Sequence, residues 1–150
     1  MPAGSWSLLI SLVILIIFSS FFSATETAYT SASKTKLKTL ESMGNKRAKK
    51  VLELTEHKYD KLLSTILIGN NIVNLSASAI STLLFGILLI NSKIDPTLVS
   101  TVVITVAVLI FGEITPKNWA NSNSEKISLA YSGIIFGLMK ILTPVIFIVD

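Results

Sequence analysis

The sequence predicts an all-α membrane protein with three transmembrane helices, a cytoplasmic amphipathic helical hairpin between the first two, and a C-terminal juxtamembrane helical belt. Of the 150 residues, 51% are hydrophobic and only 15% are charged, whereas a soluble domain carries about 25% charged residues. The apolar runs are also long, and about 20 residues cross a bilayer as a helix. The chain is too short for two large globular domains, so we expect one transmembrane domain over 1–150.

Three apolar runs are long enough to span the membrane: about 8–30, 62–90 and 96–116. The first run is expected to be a mature helix and not a signal peptide, because no Lys or Arg precedes Lys34 and no obvious cleavage site follows it. The second run is longer than the hydrocarbon is thick and should tilt or protrude. The third run opens with Asp95 as N-cap and Pro96 at the first helical position.

Lysine and arginine residues orient the chain. Nine of the thirteen lie between Lys34 and Lys61, which places that stretch in the cytoplasm and the N-terminus outside. Two helices are expected within about 34–60, the first ending at Gly44 and the second capped by Asn45. An amphipathic hairpin with its lysines near anionic lipid is the simplest interpretation, and a regulatory partner surface is the alternative. We expect His57 to be exposed and assign it no role.

A fourth run, from Ile127 to Val149, is ambiguous. Hydropathy alone allows a fourth span, and the stretch "SNSE" from Ser122 to Glu125 predicts a capping box that starts a helix. However, Lys140 is costly within a membrane and Pro144 should kink or end the helix. A broken helix pair along the membrane, forming a belt over about 123–149, fits at least as well.

Polar residues occur within all three predicted spans. They recur at helical spacing in the first two and flank a break in the third, where we expect Gly112 and Pro116 to interrupt the helix and free backbone carbonyls. At about 1.5 Å per residue, these groups can converge in the inner half of the membrane. All are oxygen donors, which favours a hard cation such as Mg²⁺, Ca²⁺ or Na⁺ over zinc or copper. The main candidates are Ser19, Ser23, Glu26, Asn70, Asn71, Asn74, Gly112 and Glu113.

Structural alternatives exist for these polar groups. Hydroxyl side chains also hold transmembrane helices together, and this interpretation is favoured for Ser19, Thr27, Ser78 and Ser81. Glu113 is the strongest functional candidate, because an intramembrane carboxylate indicates function by default. Its structural alternative is a buried pair with Lys117 or Lys140. Glu26 lies nearer the interface and could be solvated.

Three stretches carry a family resemblance. "FFSATETAYTSASKTKL" (21–37), "LSTILIGNNIVNLSAS" (63–78) and "FGEITPK" (111–117) resemble the membrane domain of the CorC/CNNM family of magnesium transporters. That family typically reads FFSGxETA, TxLIGNNxVN and FGEIxPK at these places. The order and spacing agree over nearly the whole chain. Ala24 replaces the usual glycine, a small residue for a small one.

The resemblance implies a homodimer in the cell (plasma or inner) membrane, with the N-terminus outside and the last helices forming the belt. A cytosolic CBS-pair module that binds adenine nucleotide is expected to follow in the full-length protein, and it is absent from this chain. The family exports Mg²⁺ in exchange for Na⁺. Carried over by motif, the Mg²⁺ positions are Ser23, Asn70, Asn74, Gly112 and Glu113, and Glu26, Asn71 and Ser19 are second-shell or sodium positions.

The predicted function is therefore Mg²⁺ efflux through a cytoplasm-facing pocket between the helices, with Na⁺ as the coupling ion. The alternative is a membrane-embedded Mg²⁺ sensor or scaffold that binds the ion without transporting it. We do not predict an enzyme, since the chain has no cysteine and its one histidine lies in the basic stretch, so no usual nucleophile–base pair is evident. A hydrolase using Glu26 and Glu113 is a weak alternative, and no nucleic-acid signature is present.

Overall fold

The computed structural model describes residues 3–149, apart from the side chains of residues 146 and 149. The ends of the predicted domain, residues 1, 2 and 150, lie outside this part. The helices are α1 (Ala3–Ser31), α2 (Lys34–Ser42), α3 (Lys46–Glu56), α4 (Tyr59–Leu88), α5 (Pro96–Ala107), a π-helical segment (Val108–Ile114), α6 (Thr115–Ser122), α7 (Ser124–Ile141) and α8 (Thr143–Val149). In the described residues, three stretches are long and apolar enough to cross a membrane: Ala3–Ser31, Tyr59–Leu88 and Pro96–Ser122. The predicted all-α class, with three helices able to span a membrane, is confirmed.

Local sequence signals account for several helix ends. The Asp95 carboxylate accepts a hydrogen bond from the Thr97 backbone N–H at 3.0 Å, which caps α5 as predicted. The Asn45 side chain accepts from the N–H groups of Arg47 and Ala48 and caps α3. Between α2 and α3 the chain turns at Gly44, whose φ of 89° lies in the left-handed region that glycine adopts without strain.

Two predicted helix boundaries are wrong. The third helix does not end near Pro116, since it passes through Gly112 and continues to Ser122. The membrane limits of the third span, about 96–116, stay a prediction. Nor does "SNSE" form a capping box. The residue before α7 is Asn123, which makes no side-chain cap, and the Glu125 side chain is held by α2's N-terminal turn instead.

The C-terminal run divides into two helices. After α7 the chain breaks at Leu142, and α8 begins at Thr143. Pro144 lies in the first turn of α8, where its missing N–H costs little. Neither helix is among the candidate spans of the described residues. The run from 127 to 149 is therefore not one continuous helix, and the placement of α7 and α8 as a membrane belt stays a prediction.

The described residues fall into two compact units. The first unit runs up to Phe21 and continues over Asn70–Pro116. Its apolar core is formed by α1, α4 and α5 side chains: Leu12, Ala77, Leu84 and Ile104. In the same unit, the Ser100 hydroxyl donates to the Ser81 hydroxyl at 2.8 Å, and both side chains are buried. This pair supports the expectation that Ser81 serves helix packing.

The second unit comprises Phe22–Gly69 and the chain from Lys117 onward. One buried cluster in this unit is built largely from alanine, which lets helix backbones approach closely. The buried members are Ala24, Ala28, Ala120 and Ile127. The Tyr29 hydroxyl donates to the Ser128 carbonyl at 3.0 Å, so its polar end is satisfied where the ring is buried. Ala24, the one departure from the family motif, is part of this packing.

Glu125 ties two helices of the second unit together. Its carboxylate accepts hydrogen bonds from the Ser33 backbone N–H and the Ser124 hydroxyl, each at 3.1 Å. Lys36 lies 3.9 Å away and is mostly exposed. Hydrogen bonds from the N–H groups of Glu125 itself and Ser33 hold the pKa of this carboxyl below its usual range. Glu125 is thus a charged group whose partners belong to the fold.

Candidate functional site

Ser19 joins the three membrane-spanning helices within the first unit. The side chain is 1% exposed, and its hydroxyl donates to the Asn70 side-chain oxygen on α4 at 3.4 Å. On the third helix, a Cβ added to Gly112 would lie 2.8 Å from the same hydroxyl oxygen. Only glycine leaves room for this approach. Two of the predicted metal positions, Asn70 and Gly112, therefore meet at a residue for which only a second-shell, sodium or packing role is predicted.

The backbone around Gly112 and Glu113 is π-helical. Over Val108–Ile114 the helix widens, and the Thr115 N–H donates to the Ile110 carbonyl five residues earlier. Single π-helical turns are rare in proteins, and those that occur are often found at functional sites. Pro116 has no N–H to donate, so the preceding turn has fewer backbone donors than carbonyl acceptors. The predicted helix break is therefore wrong, and the supply of carbonyl oxygen near Gly112 stays a prediction.

Glu113 carries the negative charge of this segment. Its side chain is half-buried, and in the described part of the chain it takes part in no ion pair. The pairs that exist there join Lys36 with Glu125, Lys38 with Glu56, and Lys58 with Glu53. A carboxylate within an apolar helix is costly unless a cation or water offsets its charge.

The three asparagines of "GNNIVN" differ in environment. Asn70 is half-buried and accepts the Ser19 hydrogen bond. The side-chain oxygen of Asn74 is buried without a hydrogen-bond partner among the described residues. An unpartnered buried atom of this kind typically costs about 1–3 kcal/mol, a cost that a bound ligand or water would offset. Asn71, rotated by about 100° from Asn70, is exposed.

Ser23 and Glu26 belong to the second unit. The Ser23 hydroxyl is buried and has no hydrogen-bond partner among residues 3–149. Glu26 is half-buried, and its backbone carbonyl accepts from the Thr30 hydroxyl at 3.0 Å. The unpartnered hydroxyl is consistent with a ligand role for Ser23, and the sodium role of Glu26 stays a prediction.

Gly69 is a residue that the sequence reasoning missed. In the second unit, a Cβ at this position would lie 2.5 Å from Cζ of Phe22. The buried ring of Phe22 therefore packs on the bare backbone of α4, directly before Asn70. The signal was present in the sequence, because Gly69 is the glycine of the quoted "IGNN" motif, but its packing partner could not be read from spacing.

The donor chemistry narrows the kind of ion that could bind. In the part of the chain that the structure describes, no three His, Asp or Glu side chains gather into a metal centre. The first-unit set instead offers one carboxylate, amide oxygens and backbone carbonyls. Such a set suits a hard cation that retains part of its water shell.

Comparison with known proteins agrees with these motifs. Residues 10–150 match the family described as the cyclin M transmembrane N-terminal domain, CNNM. A UPF0053 protein of Haemophilus influenzae is 41% identical over 96% of this chain and 33% of its own length. A UPF0053 inner membrane protein of Escherichia coli is 33% identical over 88% of this chain and 30% of its own length. A chloroplastic DUF21 domain-containing protein of Arabidopsis thaliana is 31% identical over 89% of this chain and 20% of its own length. The chain spans a third or less of these relatives.

Proposed function

The chain belongs to the CNNM transmembrane domain family, which is broadly associated with metal-ion transport, and we propose that it exports Mg²⁺ in exchange for Na⁺. The observation that carries this proposal is the junction at Ser19, where Asn70 and Gly112 meet and where Glu113 is the next residue in the chain after Gly112. The unpartnered oxygen of Asn74 adds to it. These groups provide charge and neutral oxygen at membrane depth without an ion-pair partner.

Mg²⁺ as the transported substrate accounts for this combination. The ion prefers about six oxygens at 2.0–2.1 Å and gives up its water reluctantly. Glu113 would supply charge, Asn70 and Asn74 would supply amide oxygens, and the turn before Pro116 would supply carbonyl oxygen. The remaining ligands would be water. Ser23 belongs to the second unit and is proposed as a further ligand position on the resemblance of its motif.

The transport cycle requires the site to change access. We propose that Mg²⁺ enters from the cytoplasm, that rocking of the helices closes the inner mouth, and that Na⁺ entering the same groups or Glu26 drives the return. Ser19 and Asn71 would act as second-shell or sodium positions. Non-helical or widened backbone is tolerated at membrane depth where it lines such a cavity.

The wider assembly is also proposed. We infer a homodimer in the plasma or inner membrane with its N-terminus outside, and no catalytic activity. Because the relatives are at least three times as long as the matched region, there is room in them for a cytosolic CBS-pair module. Nucleotide regulation would belong to that module.

The test is Mg²⁺ binding by calorimetry on the purified chain in detergent, for the parent and for Glu113→Gln, with Na⁺ and Ca²⁺ as competitors. We expect the parent to bind and Glu113→Gln to lose binding while keeping its helical content. Retained Mg²⁺ affinity in Glu113→Gln would refute the site and leave Glu113 as a structural group.

Flux in liposomes separates transport from sensing. Liposomes that contain the parent chain and internal Mg²⁺ are expected to release Mg²⁺ when Na⁺ is added outside. Liposomes that contain Glu113→Gln are expected to retain their Mg²⁺. Binding without flux by the reconstituted chain would favour the alternative, a membrane-embedded Mg²⁺ sensor or scaffold.

A further inference from the structure

A cluster of lysines surrounds one aromatic ring in the second unit. The ammonium groups of Lys50, Lys58 and Lys140 lie 5.8, 5.3 and 5.7 Å from the centre of the Phe136 ring. These distances are within the range of cation–π attraction. The ring thus gathers three like charges from α3, the α3–α4 connection and α7, charges that repel one another unless an anion is present.

A small cavity opens beside this cluster. It has a volume of about 90 Å³, and its lining includes Lys58, Lys61 and Lys140 but no carboxylate. Pockets for whole cofactors or drug-sized ligands typically measure about 300–1,000 Å³. The cavity is therefore the size for a single small anionic group and not for a nucleotide.

Nearby carboxylates do not neutralise the cluster. Glu53 pairs with Lys58 at 3.5 Å, and Glu56 pairs with Lys38 at 3.6 Å. Asp60 lines a larger adjoining groove of about 670 Å³, which also contains Lys58 and Lys61. In the described residues, Lys50, Lys61 and Lys140 take part in no ion pair. This leaves an excess of positive charge at the cavity.

Exposed apolar side chains on α7 and α8, two helices that contribute to the cavity lining, point to a membrane surface. Ile141, at the end of α7, is 73% exposed, and Phe147 and Ile148 on α8 are 84% and 83% exposed. Lys61 lies in the first turn of α4, one of the helices able to cross a membrane. Lysines beside exposed apolar residues are typical of surfaces that contact anionic lipid headgroups.

We propose that this cavity binds the phosphate of an anionic phospholipid headgroup. Lys61 and Lys140 contact the phosphate oxygens, and Lys58 interacts with both the phosphate and Glu53. The Phe136 ring holds Lys58 and Lys140 in place. The bound lipid offsets the repulsion among the lysines and secures α7 and α8 against α3 and the start of α4.

The test uses the whole chain in an uncharged detergent, titrated with dihexanoyl phosphatidylglycerol and followed by calorimetry. Lys61→Gln/Lys140→Gln removes two cavity lysines that have no ion pair. Lys46→Gln/Lys49→Gln is the control, since it removes the same charge from exposed positions of α3. Lys61→Arg/Lys140→Arg keeps the charge, and circular dichroism checks that every variant is helical.

The expected loss of affinity is about 5-fold for each lysine, or roughly 25-fold for Lys61→Gln/Lys140→Gln. The control and the arginine variant are expected to stay within about 2-fold of the parent on the same scale. Equal losses in the glutamine double variant and the control would overturn the proposal, because they would indicate general electrostatic attraction.

Two further ligands distinguish the source of the phosphate. Dihexanoyl phosphatidylcholine tests whether a net negative headgroup is needed, and inorganic phosphate tests whether a lipid is needed. Both are expected to bind at least about 10-fold more weakly than phosphatidylglycerol, since neither combines net charge with acyl contact. Binding of either one as tightly as phosphatidylglycerol would overturn the assignment to an anionic lipid.

Discussion

Glu125 and Glu113 show how one residue type serves two purposes in the two units. In the second unit, the Glu125 carboxylate has backbone, hydroxyl and lysine partners within the fold. In the first unit, Glu113 lies half-buried on a π-helical segment and has no ion pair among the described residues. A charge that the fold already satisfies contributes to stability. A charge that the fold leaves unsatisfied indicates a ligand.

The sharpest test exchanges the two carboxylates for amides. Residues that only support a metal ligand contribute up to about 100-fold in metal affinity. Because Glu113 is proposed to contact the ion directly, Glu113→Gln is expected to weaken Mg²⁺ binding by at least about 100-fold. Glu125→Gln is expected to leave Mg²⁺ affinity within about 2-fold, because its contacts are structural on the same reasoning. Calorimetry measures the Mg²⁺ affinity of both variants. A comparable loss of affinity in the two would contradict the assignment of Glu113 to the ion and Glu125 to the fold.

Gly112→Ala tests the junction at Ser19. The added Cβ would lie 2.8 Å from the Ser19 hydroxyl oxygen, so either Ser19 or the helix must shift away from Asn70. We expect Mg²⁺ affinity to fall about 10-fold, as for loss of a positioning contact. Gly86→Ala is the control, since a Cβ there meets nothing within 4 Å. Unchanged affinity in Gly112→Ala would show that the close approach does not shape the site.

Asn74→Leu separates function from stability. The side-chain oxygen of Asn74 is buried without a partner, so its removal relieves a cost of about 1–3 kcal/mol. We expect the melting temperature to stay equal or rise while Mg²⁺ affinity falls several-fold. Thermal unfolding and calorimetry measure the two effects. A lower melting temperature with unchanged affinity would mean that Asn74 is a structural group.

Protonation of Glu125 is expected to destabilise the fold at acid pH. Because its pKa is lowered in the folded protein, the ionised carboxylate stabilises the fold at neutral pH. This stabilisation is lost as the pH falls below about 4.3, the ordinary value for glutamate, toward the lowered pKa. Glu125→Gln should reduce the free energy of unfolding by about 1 kcal/mol at pH 7 and flatten this acid response. Melting curves at neutral and acid pH compare it with the parent, and an unchanged acid response would contradict the assignment.

Ser81→Ala is expected to have the smallest effect. It removes the buried hydrogen bond from Ser100, and such bonds between membrane helices contribute about 0.6 kcal/mol. Ser100 keeps a contact to Thr82 at 3.4 Å, so the melting temperature should fall only slightly and Mg²⁺ affinity should not change. A clear loss of affinity would extend the ion site toward this pair.

Local chemistry made much of the fold predictable. Asp95 before Pro96 and Asn45 after Gly44 cap helices through contacts within three residues, so neighbouring residues contain the needed information. The "SNSE" stretch failed for the opposite reason. Glu125 finds a better donor in Ser33, which lies 92 residues away in the chain, and no local pattern reports that partner.

The candidate site was predictable in its residues and not in its arrangement. The motifs named Asn70, Gly112 and Glu113, and an unsatisfied carboxylate in an apolar run is costly wherever it lies. Spacing could not show that Ser19 is the residue at which the helices meet, or that Asn71 is exposed while the Asn74 oxygen is buried. Those differences depend on which side chains neighbouring helices present.

By itself, the sequence determined the membrane class, the three spans, the oxygen-donor chemistry and the family, because these follow from composition, run length and short motifs. Only the tertiary structure decided that the helix widens at Gly112 instead of breaking, that Ser19 brings two predicted ligand positions together, and that Phe136 gathers three lysines. The Ser19 junction and the lysine cluster depend on contacts between residues far apart in the chain, whose free energy is set by close packing and not by local propensity.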